Sequence, residues 1–100
     1  MMAIVSRRDE ILTLRREAIR DIAARNKAYS IALIGSVARG EDTDASDCDF
    51  LATFENGSSL LDQAGLIIDL EKFLGCKVDV ISRGGLKERH QCILADAILL

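Results

Sequence analysis

Apolar side chains at Ile11, Leu14, Ala18 and Ile22 step by three or four and would share one stripe of a helix. Ser6 followed by Asp9 has the form of a capping box, so the pattern predicts one helix from about Arg7 to about Asn26. Ser30-Ile-Ala-Leu-Ile34 then reads as a strand that stops at Gly35-Ser36, with room for a short helical turn after Gly35. A second strand is predicted from Asp47 to Phe54, followed by a turn at Glu55-Asn-Gly-Ser58. A second long helix runs from about Ser59 to Leu74, with Leu61, Leu66 (or Ala64), Ile68 and Phe73 as apolar positions and Gly75 as its C-terminal glycine. Lys77-Val-Asp-Val-Ile81 is a third strand, Arg83-Gly-Gly85 a turn, and Leu86 to Leu99 a final amphipathic helix. The order α-β-β-α-β-α implies an α+β fold, a small mixed β-sheet flanked by helices.

One hundred residues without a repeat or linker make a single domain, 1–100. A chain of this size buries roughly two-thirds of its unfolded surface, so a partner chain would add stability. The net charge of −3 provides no general attraction to nucleic acid or membrane. No apolar run approaches the roughly 18 residues needed to span a bilayer, and the stretch from Met2 to Val5 is too short for a signal peptide. Cys48, Cys76 and Cys92 are odd in number and lack CxxC spacing, which favours buried thiols in a reducing compartment over disulfides or zinc. A cytoplasmic protein is expected.

The charge is uneven. Residues 1–27 carry seven basic and four acidic side chains, whereas residues 41–56 carry six acidic and no basic ones. Glu41, Asp42 and Asp44 suit a solvated loop, but Asp47 and Asp49 lie in an apolar strand. Alternate strand residues share a face, so the two carboxylates would point the same way and repel unless a cation lies between them. Mg²⁺ prefers such hard oxygen ligands with open positions for phosphate, although the pair would also be at home solvated on an exposed sheet face. Gly35-Ser36 allows close backbone approach to a phosphate and adds a hydroxyl donor; it also reads as an ordinary tight turn. Asp79, between Val78 and Val80, is a third carboxylate in an apolar strand, and three on one face suit a two-metal clamp.

Taken together, Gly35-Ser36-Val-Ala-Arg-Gly40 followed by Asp47-x-Asp49 resembles the signature of the polymerase-β-type nucleotidyltransferase superfamily. Within it, the chain is most similar to minimal nucleotidyltransferases, the MNT antitoxins of HEPN/MNT toxin–antitoxin pairs, over nearly its whole length. The resemblance implies that Asp47 and Asp49 hold two Mg²⁺ ions, with Asp49 bridging them. It also implies that Asp79 completes the catalytic metal site near the acceptor hydroxyl. Gly35 and Ser36 would bind the β- and γ-phosphates of ATP, and Arg39 would support the loop or the triphosphate. Two residues depart from the family pattern: Val37 stands where many relatives carry a basic or aromatic residue, and Cys48 replaces a branched aliphatic.

The resemblance further implies AMP transfer from ATP to a protein hydroxyl, a tyrosine of a cognate HEPN toxin, with this chain as antitoxin. No separate acceptor-binding domain fits in the chain, so the acceptor is expected to bring its own surface. Two rivals stay open: a catalytically silent antitoxin that neutralises by binding, and a small-molecule nucleotidyltransferase. His90 is expected on a surface or partner-facing position, and Cys76 and Cys92 are expected as core thiols, not nucleophiles, since nothing adjacent in sequence would activate them. Arg7, Arg8, Arg15, Arg16, Arg20 and Arg25 form either a solvated face or a docking face for an acidic partner or RNA. The greasy run Ala97-Ile-Leu-Leu100 either covers the protein's own core or docks a second chain.

Overall fold

The computed structural model describes residues 6–43, 47–83 and 95–100. Helix α1 spans Arg7–Leu12 and opens on Ser6, whose hydroxyl accepts from the Asp9 amide at 3.1 Å. The predicted long helix breaks here, and α2 spans Arg16–Arg25. The cause is local: the Thr13 hydroxyl donates to the Asp9 carbonyl at 2.6 Å, a back-bond that bends helices. Arg15 fixes the corner through an ion pair to Glu10 (2.7 Å) and by lying 5.1 Å over the Phe73 ring. Ile11 is therefore continued on the buried face by Ile19, Ile22 and Ala23, while Leu14, predicted for that face, is 81% exposed.

Lys27, at φ 64°, turns the chain from α2 into β1 (Ala28–Ile34). The short helix α3 (Gly35–Arg39) follows directly, as the helical turn expected after Gly35. Strand β2 spans Cys48–Phe54, α4 spans Leu60–Leu74, and β3 spans Val78–Ser82. Helix α4 has a complete capping box: Ser59 accepts from the first turn while Asp62 accepts from the Ser59 amide at 2.9 Å. Gly75, in the left-handed region at φ 71°, ends it as expected. Its buried stripe is Leu66 and Leu70, with Ile67, Phe73 and Leu74 half-buried; Leu61 and Ile68, expected inside, face outward.

The sheet order is β3-β2-β1-β4, with β2–β3 parallel and the other pairs antiparallel. Strand β4, Ile98–Leu99, corrects the predicted final helix at its C-terminal end, whereas Ala95 and Asp96 are helical; residues 84–94, with Gly84, Gly85, His90, Cys92 and the first part of that helix, lie outside the described residues. The open edge of β1 outcompetes local helix propensity: Ile98 and Leu99 pair with Leu33 and Ala32, and the Leu100 amide donates to the Ile31 carbonyl at 2.9 Å. Arg16 secures the segment through the Leu99 carbonyl at 2.8 Å.

Period-2 alternation divides the sheet into two faces. Ile31, Leu33, Cys48, Phe50, Ala52, Val78 and Val80 pack with α1, α2, α4 and Leu100 as the main core. The other face carries a smaller cluster, Ala32, Ile34 and Leu51, joined by Ile81 and Ala97. Asp49 and Asp79 belong by alternation to this second face, which is where chemistry can meet solvent. Among the described residues, no helix is long and apolar enough to cross a membrane.

Candidate active site

The site forms where β1 ends, at the level of the first residues of β2 and β3. Asp49 is the ladder partner of Ile34 on one side and of Asp79 on the other. The parallel register thus sets two carboxylates directly opposite one another, a repulsive pairing in an otherwise apolar sheet. Gly35 adjoins them in the left-handed region at φ 76°, and a Cβ there would stand 2.5 Å from Asp49 Oδ2. Glycine is required at this position both by backbone conformation and by space.

A cavity of about 240 Å³ opens at this point, lined by Ile34, Gly35, Arg39, Asp49, Asp79, Ile81 and Asp96. Four of the six residues singled out from sequence therefore meet in one place. Ser36 and Asp47 are half-buried and do not line the cavity. Strand β2 starts one residue later than expected, so strand alternation does not set the direction of Asp47. Its charge still reaches Asp49.

Burial holds the Asp49 carboxyl above its ordinary range, and the negative charges of Asp79 and Asp47 add to the shift while Arg39 opposes it. A cation would relieve this frustration, and the donors are hard carboxylate oxygens, the set Mg²⁺ accepts. Among the described residues, no three His, Cys, Asp or Glu side chains are grouped closely enough to hold a metal ion by themselves.

Arg39 is the cation of the site, tied to Glu41 at 3.1 Å and to Asp96 at 3.4 Å. Asp96 is a wall residue that sequence reasoning missed. It falls in the segment predicted as helix, and no motif marks it. Val37 is fully buried in the main core, so at this position the side chain packs and does not face the cavity. Cys48 turns to the core face; burial, then its contact with Cys76, pushes its thiol up to about 12. A larger cavity, about 560 Å³, lies between α2 and β1 and includes Arg16, Arg20, Glu17 and Asp21, away from the facing carboxylates.

A family model described as a nucleotidyltransferase domain matches residues 15–97. A candidate protein adenylyltransferase of Methanocaldococcus jannaschii is 42% identical over 84 residues, covering 82% of this chain and 81% of that one. The protein adenylyltransferase MntA of Thermococcus cleftensis is 37% identical over 79 residues, covering 79% of this chain and 77% of that one. A solved candidate minimal nucleotidyltransferase superposes with a TM-score of 0.80 at 46% identity, over 91% of this chain and 94% of that one. A chain from the complex of the tri-AMPylated HEPN toxin of Shewanella oneidensis with its MNT antitoxin superposes with a TM-score of 0.65 at 18% identity, over 86% of this chain and 68% of that one. That last likeness is one of fold alone.

Proposed function

The chain belongs to the nucleotidyltransferase domain family, and from that premise we propose that it transfers AMP from ATP to a tyrosine hydroxyl of a HEPN toxin, acting as its antitoxin. The observation that carries the reading is the facing pair Asp49 and Asp79 beside Gly35, at the mouth of a cavity that also holds Arg39. Its similarity in sequence to protein adenylyltransferases supports the same chemistry.

In this reading Asp47 and Asp49 hold Mg²⁺, with Asp79 completing the site on the acceptor side. Mg²⁺, when bound, neutralises triphosphate charge and polarises the reacting oxygens. Gly35 admits the phosphates where any side chain would collide, Ser36 offers its amide and hydroxyl, and Arg39 meets the remaining negative charge. The phenolic oxygen attacks the α-phosphorus in line, the bond to the pyrophosphate oxygen breaks, and Asp79 favours loss of the phenolic proton.

The test is label transfer. The chain, Mg²⁺, α-labelled ATP and a cognate HEPN protein should give a labelled tyrosine, and Asp49→Asn should abolish the signal. A stable but unlabelled complex would instead mean neutralisation by binding alone. Label moving to a small-molecule hydroxyl would make the chain a small-molecule transferase.

A further inference from the structure

Behind the site, on the opposite face of the sheet, the sulfurs of Cys48 and Cys76 lie 3.3 Å apart as free thiols. The two cysteines are far apart in sequence and meet because Cys48 opens β2 while Cys76 follows the α4 C-cap, two residues before β3. Cys48 pairs with Val78 in the ladder, and its amide donates to the Lys77 carbonyl at 3.0 Å, which holds the two strand starts together. Closing the sulfurs to the roughly 2.05 Å of a disulfide needs a shift of little more than an ångström, within the reach of a thiol rotamer and the Gly75-Cys76 bend.

We propose that Cys48 and Cys76 form a thiol-pair modification site that a small hydroperoxide closes to an intramolecular disulfide. Cys48 is fully buried, whereas Cys76 is half-buried, so the oxidant meets Cys76. The two line a cavity of about 140 Å³ with Arg7, Arg15, Leu74 and Gly75. Hydrogen peroxide, about the size of two waters, fits this space, while a tripeptide disulfide does not. In the first step Cys76 attacks one peroxide oxygen, the O–O bond breaks, and Cys76 sulfenic acid and water form. In the second, the Cys48 sulfur attacks the sulfenic sulfur; its proton leaves with the departing hydroxide as water. Two electrons pass from the thiols to the peroxide.

The disulfide would tie β2 to β3 directly behind Asp49 and Asp79 and would close a loop of about thirty residues in the unfolded chain. It does not depend on the nucleotidyltransferase reading, since neither its formation nor its readout requires nucleotide.

The three cysteines fall in three different tryptic peptides, 40–72, 73–77 and 90–100, which makes the test direct. Hydrogen peroxide added to the full chain should remove the mass of two hydrogens and link the first peptide to the second. The melting temperature should rise by about 10 °C and return with dithiothreitol. Cys76→Ser should lose both effects, and Cys92→Ala should keep both. Oxidised glutathione should act far more slowly than peroxide. Links to the 90–100 peptide, links between molecules, or oxidation of Cys76 to sulfinic acid without a link would each overturn the proposal.

Discussion

Gly35 leaves Asp49 no more room than it has: a Cβ on the glycine would lie 2.5 Å from Oδ2 and 3.2 Å from the aspartate Cβ. Because φ is also positive, Gly35→Ala combines backbone strain with a collision against the carboxylate. The expected cost is about 1–3 kcal/mol of stability, with a larger proportional loss of nucleotide binding because the displaced group is Asp49 itself. Chemical denaturation alongside calorimetric titration with Mg²⁺ and ATP separates the two. A variant that binds nucleotide like the parent would remove Gly35 from the phosphate site.

Asp49 predicts an opposite pattern, in which loss of function accompanies a gain in stability. Its pKa is raised by burial and by Asp79 and Asp47, so the folded state binds a proton more tightly than the unfolded one. The stabilising contribution of the protonated form is fully present below the unfolded pKa and is lost as pH rises through the higher folded pKa. At neutral pH the charged carboxylate therefore destabilises the fold. Asp49→Asn should melt slightly higher than the parent at pH 7, on the order of 1–2 °C given how much water screens this partly buried group. The difference should vanish in acid, below the unfolded carboxyl pKa. Thermal melts from pH 3 to 8 without divalent ions check this. A variant less stable than the parent at pH 7 would contradict the repulsion argument.

Asp79 is exposed, and in the proposed reading it serves the acceptor side of the pair. Asp79→Asn should leave Mg²⁺ and ATP binding within a few-fold of the parent while transfer falls by about 100-fold or more. Single-turnover kinetics with saturating nucleotide reads the chemical step apart from binding. Loss of binding equal to the loss of transfer would make Asp79 a ligand for the ground state and not a group for the acceptor.

Much of this site was legible because its residues combine local rules that agree. Asp49 and Asp79 each interrupt an apolar strand and were expected on one sheet face, and Gly35 marked the end of the strand beside them. Helix α4 was equally plain, since Ser59, Asp62 and Gly75 supply start and stop signals independent of its weak stripe. The break at Thr13 was not legible, because a side-chain bond to one carbonyl decides it and Leu14 keeps the apparent period. Strand β4 and Asp96 were hidden for a different reason. Both depend on an open edge of β1 and on a neighbour, Arg39, distant in sequence.

That edge also decides what the apolar tail does. Leu100 is 7% exposed and belongs to the main core, whereas its neighbour Leu99 is 64% exposed. Of the expectation that this run either covers the core or docks a partner, the core reading holds for Leu100, and Leu99 is left exposed. Leu100→Ala should cost about 2–4 kcal/mol, as for other buried leucines, and should leave partner affinity per folded molecule unchanged. Leu99→Ala should change stability by less than about 0.5 kcal/mol, because its side chain faces solvent and its backbone still pairs with Ala32. Denaturant melts of both variants, with partner binding measured on the folded fraction, read the division directly. Equal destabilisation by the two would mean that Leu99 is buried in the folded protein. Reduced affinity with Leu99→Ala alone would assign the exposed leucine to the interface while leaving Leu100 in the core.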